Sequence, residues 1–349
     1  MRMSSAIVAQ AAARIAEHAR RHRLAEVTVV LHGGEPLLAG PDLITETVGA
    51  VRAAAGGAIT VNCHIQTNGV RLDEEYLSLF SRLGVGVGVS LDGDQAAQDR
   101  HRKFADGRGS HRSVSEGLAL LSAPRYRHLF NGLLSVVDLR NDPLATYEAL
   151  LRYDPPKIDF LLPHGTWEDP PPQRTADPAA TPYADWLIPV FDAWYRDPRT
   201  QVRFFAEIVR ALLGGISSTE SVGLAPTAFV VIATDGSVEQ VDSLKATYHG
   251  ASHTGLHITR DSLDAALLLP EFATRQMGLK GLCAECQECR IRLVCGGGLY
   301  AHRYRSASGF ANPSVYCSDL MRLIDHIRHT VEADINNRLS GHARVQNAH

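Results

Sequence analysis

The sequence lacks any apolar run that approaches the roughly 20 residues needed to cross a bilayer. It also lacks a secretory signal, because residues 1–21 show no hydrophobic region followed by a cleavage site and instead have the pattern of an amphipathic helix. An excess of charge of either sign is missing too, since the formal net charge is −3 over 349 residues. Strong electrostatic attraction to nucleic acid or to an anionic membrane is therefore excluded, and we expect a globular protein of the cytoplasm.

Cysteine is scarce over most of the chain. Six cysteines occur in all, and five of them fall between residues 283 and 317. A disulfide framework would spread its cysteines through a small secreted chain, which this sequence does not resemble. The clustering therefore favours metal ligation by thiolates.

The first 165 residues alternate between short β-branched runs and helical stretches, which predicts an α/β fold with parallel strands. The runs are almost wholly apolar, as expected for strands buried on both faces. The predicted strands are 27–32, 58–65, 84–91, 129–137 and 157–162, and the predicted helices are 5–22, 42–55, 73–82, 112–123 and 143–152. The chain opens on a helix where a βα series would open on a strand, so we expect a first strand and its loop to be missing.

A proline-rich stretch at 163–182 predicts a boundary without regular structure. Two helices are expected after it, at 183–196 and 202–214, followed by a hairpin that turns at Asp235-Gly236 and by a final helix at 318–338. We divide the chain into residues 1–165, a linker with helices at 166–227, and a cysteine-bearing domain at 228–340. No internal repeat or low-complexity tract is present.

The cysteine spacing predicts a metal centre. Cys286-x2-Cys289-x5-Cys295, followed by Cys317, supplies the four thiolates of a tetrahedral site or of a [4Fe–4S] cluster. The glycines at 296–298 would let the backbone pass close to a bulky cluster. Thiolates select zinc, copper(I) or iron–sulfur, so a zinc knuckle remains the alternative. Cys283 forms a second CxxC with Cys286, which leaves the register open by one ligand.

Polar, glycine-bearing loops follow three successive predicted strands. His32-Gly33-Gly34-Glu35-Pro36 follows the first, Gln66-Thr67-Asn68-Gly69 the second, and Ser90-Leu91-Asp92-Gly93 the third. Arg102 lies in a polar stretch at 99–111 that predicts a long active-site loop, and it could pair with a carboxylate. Parallel α/β folds place ligands at the carboxyl ends of their strands. The three loops therefore predict one ligand site, although each alone could be an ordinary turn or a solvated charge run.

Together these motifs resemble a radical S-adenosylmethionine (SAM) enzyme with a SPASM or twitch auxiliary-cluster domain. More narrowly, VVLHGGEPLLAG, VGVSLDGDQAAQDRHRKFADGRGSH, TDGSVEQVDSLK and the segment from Cys295 to Cys317 resemble the FxsB-type peptide maturases. The resemblance implies a partial (β/α)6 barrel plus a cysteine domain with an auxiliary [4Fe–4S] cluster. It further implies that SAM contacts the GGEP residues Gly33, Gly34 and Glu35, then Ser90, Asp92 and Arg102, and that Leu134 lines the adenine pocket.

The sequence departs from the family pattern in two places. The upstream cysteines of a second auxiliary cluster are absent, and Leu299 stands where another ligand is expected, so we expect one auxiliary cluster. The CxxxCxxC motif for the SAM-cleaving cluster is also absent, and we expect the chain as given to be truncated and inactive. In related enzymes an aspartate follows the cysteine of a G-x4-C motif. Gly236-x4-Val241-Asp242 keeps that aspartate, which makes Asp242 the candidate catalytic base.

The resemblance implies a maturase that forms a cyclophane-type carbon crosslink in a ribosomal precursor peptide, with an electron-donor protein if the protein is longer. The alternative is a non-catalytic iron–sulfur or zinc protein that binds a peptide or another partner.

Overall fold

The computed structural model describes residues 2–346 except 176, 178 and 228. In the first half, helices and strands alternate in the order α1 (Ser5–Arg21), β1 (Glu26–Leu31), α2 (Pro41–Ala55), β2 (Thr60–Thr67), α3 (Glu74–Leu83), β3 (Val85–Ser90), α4 (Gln95–His101), α5 (His111–Ser122), β4 (Phe130–Val136), α6 (Pro143–Leu151) and β5 (Lys157–Leu161). The five predicted strands and the five predicted helices are confirmed. Helix α4 was not predicted.

The strands form one parallel sheet in the order β1-β2-β3-β4-β5-β6. Its sixth strand, β6 (Gln201–Val202), is only two residues long and pairs with Lys157 and Ile158 of β5. Because all six strands run the same way, their carboxyl ends share one edge. The sequence-based fold class, an α/β partial barrel, is confirmed.

The two faces of the sheet differ in polarity. In β3, Val85, Val87 and Val89 are completely buried on the face covered by helices. In β2, polar side chains alternate with buried ones on the other face, where Asn62, His64 and Gln66 are half-buried. The prediction that the strands are buried on both faces is therefore wrong for this face, which lines a polar interior.

The second half begins with α7 (Pro182–Arg196) and α8 (Arg203–Leu212) and continues with a three-stranded antiparallel sheet, β7 (Val231–Ile232), β8 (Ser237–Glu239) and β9 (His253–His257). The predicted turn at Asp235-Gly236 is confirmed, with Gly236 at φ +95°. Short helices α9 (Leu263–Leu267), α10 (Pro270–Gln276), α11 (Ala284–Glu288) and α12 (Arg292–Cys295) precede α13 (Cys317–Gln346), which is longer than predicted.

Helix α1 packs against both halves of the molecule. Its last turns bury Ala19 against Ala55 of α2, and its middle buries Ala11 against Ile258 and Val238 of the C-terminal region (β7 to α13). Two side chains of α1 also donate to one carbonyl of that region, since Arg14 Nε lies 2.8 Å and Gln10 Nε2 3.1 Å from the oxygen of Ile258. The helix therefore fixes the C-terminal region beside the parallel sheet.

A search of the described residues finds no helix whose length and hydropathy would allow it to cross a membrane.

Candidate cofactor site and cysteine centre

The loops after β1 and β2 are joined by one carboxylate. Glu35 accepts hydrogen bonds from the amide of Leu37 at 3.0 Å, from the hydroxyl of Thr67 at 2.7 Å and from the amide of Asn68 at 2.8 Å. Its charge is therefore used to hold the second loop against the first. This contact leaves the backbone of the GGEP turn as the part that faces outward.

Gly33 and Gly34 form an exposed turn at the end of β1. Gly33 has a φ of +82°, and no atom lies within 4 Å of the Cβ positions of either glycine. The open space beside both residues leaves their backbone groups accessible to a ligand.

Ser90 and Leu134 lie side by side at the carboxyl edge of the sheet. They are register partners in the β3–β4 pair, and both are half-buried. Ser90 Oγ accepts a hydrogen bond of 3.2 Å from Gln66 Nε2 of β2. Gly88, one pleat earlier, makes room for Gln66, since a Cβ there would lie 2.3 Å from Gln66 Oε1. Gln66 thus belongs to the same surface as Ser90.

Asp92 and Arg102 form a clamp behind this edge. Asp92 is buried, and its carboxylate accepts from Arg102 Nε at 2.6 Å, from Arg102 Nη2 at 3.2 Å and from the amide of Val136 at 3.0 Å. The bidentate geometry fixes the plane of the guanidinium. The side chain of Arg102 is partly exposed, and its Nη1 takes no part in the bonds to Asp92.

The stretch 99–111 is not one long loop as predicted. Its first three residues complete α4, and Arg102 caps that helix by donating its amide to the carbonyl of Gln98. Only residues 102–110 form a loop, which closes on itself through a bridge between Lys103 and Gly109. The helix is the reason that Arg102 lies at a defined position.

Sequence reasoning missed a polar group deeper in the sheet. Asn131 Nδ2 lies 2.7 Å from His64 Nδ1, above Gly86, where a Cβ would lie 2.4 Å from Asn131. Burial, and then the charge of Lys157, lower the pKa of His64. The signal available was the period-two alternation of polar residues in β2 opposite the glycines of β3.

The five clustered cysteines come together at the junction of three helices. Cys283 and Cys289 flank α11, which contains Cys286, while Cys295 ends α12 and Cys317 begins α13. Burial is the largest cause that raises the pKa of Cys286, followed by its cysteine neighbours, Cys283 first among them. Burial likewise raises the pKa of Cys295 to about 11. Four thiolates in a buried position need a cation to neutralise their charge.

The sulfur spacing bears on which metal fits. Thiolates at about 2.3 Å on the corners of a zinc tetrahedron lie about 3.8 Å apart. In the part of the chain that the structure describes, no three cysteine sulfurs lie within 4.8 Å of one another. A [4Fe–4S] cluster takes one thiolate on each of four separate irons, so its thiolates lie farther apart than those on a single zinc ion.

The backbone beside Cys295 is shaped for close approach. The glycines at 296–298 all have positive φ, and a Cβ on Gly296 would lie 1.6 Å from the carbonyl oxygen of Gly223. Arg303 binds the carbonyls of all three glycines, at 2.6 Å for Gly296, 3.1 Å for Gly297 and 2.7 Å for Gly298. It thereby places a half-buried positive charge beside Cys295.

Asp242 lies apart from these contacts, at the start of a 3-10 turn after β8. Its side chain is about half exposed, and its carboxylate lies 2.9 Å from Lys245 Nζ, which also contacts the buried Glu239 at 2.7 Å. Hydrogen bonds with Glu239 and then Asp242 raise the pKa of Lys245. The ammonium of Lys245 thus bridges the two carboxylates.

Comparisons with known proteins agree with this geometry. Residues 4–133 match the family model described as the Radical SAM superfamily. The chain is 27% identical over 284 residues to the serine-type anaerobic sulfatase-maturating enzyme of Klebsiella aerogenes, a match that covers 79% of this chain and 67% of that enzyme. It is also 27% identical over 305 residues to the cysteine-type anaerobic sulfatase-maturating enzyme of Clostridium novyi (strain NT), with 83% of this chain and 77% of that enzyme covered.

Among solved structures, native anSMEcpe with bound AdoMet and Kp18Cys peptide superposes with a TM-score of 0.82 at 21% identity, over 96% of this chain and 91% of its own. This likeness establishes the fold. Residues 4–133 thus match the radical SAM superfamily, and most of the chain is similar to anaerobic sulfatase-maturating enzymes.

Proposed function

We propose that this chain binds SAM and a peptide and serves in the radical-based modification of that peptide. The observation that carries the proposal is the convergence of three strand-end loops, tied by Glu35 to Thr67 and by Asp92 to Arg102, in a domain that matches the radical SAM superfamily. SAM, when reductively cleaved, supplies a 5′-deoxyadenosyl radical that removes a hydrogen atom from a substrate. Binding and orientation fall to residues of this chain.

The proposed SAM site divides its residues into those that touch the ligand and those that hold them. Gly33 and Gly34 offer accessible backbone groups to the amino group of SAM. Ser90 and Arg102 are placed for the ribose and the carboxylate, and Leu134 packs beside the adenine. Glu35 and Asp92 do not touch SAM in this proposal, because their carboxylates are already hydrogen-bonded within the chain. They position the ligand-binding residues instead.

The proposed auxiliary [4Fe–4S] cluster is held by Cys286, Cys289, Cys295 and Cys317. Three observations support this proposal. The cysteines lie close enough to influence one another's pKa, and no three of their sulfurs among the described residues lie within 4.8 Å of one another. The adjoining glycine backbone is braced by Arg303. Cys283 stays outside the ligand set in this proposal, because the CxxCx5C spacing of Cys286, Cys289 and Cys295 with Cys317 already supplies four thiolates.

The 349 residues as given contain no CxxxCxxC motif. Cleavage of SAM needs a cluster with one iron free to chelate it, and that cluster needs three thiolates that these residues do not offer in the required spacing. We therefore propose that the chain as given binds SAM without cleaving it. Any catalysis would depend on a cluster whose ligands are not among these residues.

For the substrate, we propose a ribosomal precursor peptide and a cyclophane-type carbon crosslink, on the strength of the FxsB-type motifs. The half-exposed Asp242 would accept a substrate proton, and an electron-donor protein would reduce the clusters. A second candidate is oxidation of a serine or cysteine side chain, which the similarity to sulfatase-maturating enzymes favours. A thiolate-bound cluster requires a reducing compartment, and we place the protein in the cytoplasm.

The first experiment measures both the iron–sulfur content of the chain and its binding of SAM. The chain is reconstituted anaerobically with iron and sulfide, its metal content is determined, and SAM binding is followed by equilibrium dialysis. We expect about four irons and four sulfides per chain, together with SAM binding.

Two matched serine substitutions make the assignment specific. Cys289→Ser should lower the iron content, whereas Cys63→Ser, in the buried face of β2, should leave it unchanged. Zinc in stoichiometric amount without sulfide would reject the cluster and support a non-catalytic zinc protein. Absence of SAM binding in a folded, iron-loaded chain would reject the proposed SAM site.

A further inference from the structure

A second group of metal-binding side chains lies on the far end of α1, away from the cysteines. Nδ1 of His18 lies 2.5 Å and Nε2 of His22 lies 2.8 Å from the same oxygen, Oδ1 of Asp264. The three atoms all lie within 4.8 Å of one another. Asp264 is largely covered, whereas the two rings are partly exposed, so the group can be reached from solvent.

The fold builds this group from two distant parts of the chain. His18 and His22 are four residues apart, which puts them on one face of α1, with ring centroids 4.5 Å apart. Asp264 lies in the first turn of α9. The two helices are held at this distance independently of the group, because Arg14 and Gln10 of α1 both donate to the carbonyl of Ile258.

We propose that His18, His22 and Asp264 form a binding site for a divalent cation of zinc type. Two imidazoles and a carboxylate suit zinc and its neighbours in the first transition row, with water in the remaining position. Ligand atoms at about 2.0–2.1 Å from a tetrahedral zinc lie about 3.3 Å apart. The present separations of 2.5 and 2.8 Å therefore need to open by less than about 1 Å, which small rotations of the rings supply.

The charges and the exchangeable protons of this group are also compatible with a bound cation. The ring nitrogens that face Asp264 carry protons in the metal-free protein, because each donates to its carboxylate oxygen. On metal binding each proton moves to the other ring nitrogen or to solvent, and the metal takes its place between the ligands. His22 caps the C-terminal end of α1, where the helix dipole favours a cation. Arg21, 3.1 Å from Asp264 Oδ2, occupies the other carboxylate oxygen and leaves Oδ1 to the metal.

The consequence of this site is a metal link between the parallel-sheet half and the C-terminal region. Metal that binds the folded chain alone stabilises it by mass action, and it does so at the contact between α1 and α9.

The test uses the full chain with its cysteine centre loaded with iron and sulfide, so that thiolates are occupied. Zinc affinity is measured by competition with a chromophoric chelator, and cobalt(II) is added separately for absorption spectroscopy. The wild type should bind one further zinc ion. His22→Gln and His18→Gln should each weaken that binding by about a hundredfold or more, because loss of a ligand exceeds the 10–100-fold effect of losing a supporting contact.

His249→Gln is the matched control, since His249 also has a histidine four residues away, with ring centroids 6.4 Å apart, but belongs to no such group of three among the described residues. It should bind zinc like the wild type. Equal zinc affinity in the wild type and in both α1 variants would overturn the site, as would new thiolate charge-transfer bands in the difference spectrum recorded on adding cobalt. Circular dichroism confirms that each variant is folded.

Discussion

Arg102 owes its orientation to a single buried carboxylate, Asp92, which also binds the amide of Val136 on the neighbouring strand. Asp92→Asn keeps the size of the side chain but removes the charge, and charge-assisted hydrogen bonds are worth about 1.5–3 kcal/mol. We expect the affinity for SAM to fall about tenfold or more in equilibrium dialysis.

The control for this substitution lies in the same loop. Asp106 also pairs with an arginine, Arg108, but both side chains are more than half exposed, and exposed pairs contribute little. Asp106→Asn should bind SAM like the wild type. If both variants bind alike, Asp92 does not position the ligand-binding guanidinium.

Two glycines with nearly the same backbone conformation allow the cost of the left-handed backbone to be distinguished from the cost of a steric clash. Gly296 and Gly309 have φ of +60° and +61°, but a Cβ on Gly296 would lie 1.6 Å from a backbone oxygen, whereas nothing lies within 4 Å of that position at Gly309. Gly309→Ala should cost about 1–2 kcal/mol of stability for the left-handed conformation alone. Gly296→Ala should cost distinctly more and reduce the iron content, as thermal unfolding and iron analysis would show. Equal losses would mean that the close approach at Gly296 is relaxed in solution.

His302 is a buried residue that makes stability depend on pH. Burial, with smaller contributions from His164 and Arg303, lowers its pKa to about 3. In the unfolded chain its pKa is near 6.5, so as the pH falls below that value the unfolded state takes up a proton that the folded state does not.

Stability is therefore lost as the pH falls from 7 toward 3. Between pH 7 and 5 the single histidine should account for about 2 kcal/mol of the loss. His302→Leu should flatten the denaturant-unfolding stability curve by that amount over this range. A slope identical to that of the wild type would show that His302 takes up protons in the folded protein.

At the scale of elements, most of the parallel sheet follows from sequence pattern, because long β-branched runs and amphipathic helices alternate in its first half. The elements that escaped prediction are short or polar. Helix α4 lies in a highly charged stretch, and β9 has little apolar character, so that its pairing with β8 decides its structure. The polar interior of the sheet was not predicted, because the composition of β2 and β3 is mainly apolar and hides the alternation of polar residues and glycines along them.

The candidate site divides in the same way. The loops at the strand ends and the cysteine group could be predicted, since each depends on residues close in sequence or on spacing within one region. The hydrogen bonds from Asn68 to Glu35 and from Val136 to Asp92 could not be predicted, because the partners are 33 and 44 residues apart in sequence. The contact of His18 with Asp264 spans 246 residues, and no local pattern signals it.

The alternation of glycine with other residues in β3 allows a test at this scale. Gly88→Ala would place a Cβ 2.3 Å from Gln66 Oε1 and so displace Gln66 from Ser90. Because one hydrogen bond contributes about 0.5–1.5 kcal/mol, SAM affinity should fall several-fold up to about tenfold, with a small change in melting temperature.

Gly49→Ala, in the middle of α2 with no atom within 4 Å of the new Cβ, is the control. It should raise stability by about 0.5–1 kcal/mol and leave SAM affinity unchanged. An unaltered affinity in Gly88→Ala would remove Gln66 and Ser90 from the proposed site.

For the whole molecule, the cysteine inventory limits the chemistry that the 349 residues can perform. We expect the reconstituted chain to produce no 5′-deoxyadenosine above a control without protein when it is incubated anaerobically with SAM and dithionite, because no CxxxCxxC motif is present. Liquid chromatography of the quenched reaction measures the product. Clear formation of 5′-deoxyadenosine would mean that another set of residues binds the cleaving cluster.

Helix α1 is synthesised long before the residues that complete its packing. Its polar partner, the carbonyl of Ile258, follows Gln10 and Arg14 by 248 and 244 residues. At a synthesis rate of about 5–20 residues per second, the helix waits roughly 10–50 s before that partner leaves the ribosome. During this interval the apolar face around Ala11 lacks its partners Val238 and Ile258, so the nascent chain is exposed to chaperones and proteases at this helix. Substitutions in residues 258–266 would then lower the yield of folded protein in the cell through the fate of a segment made long before them.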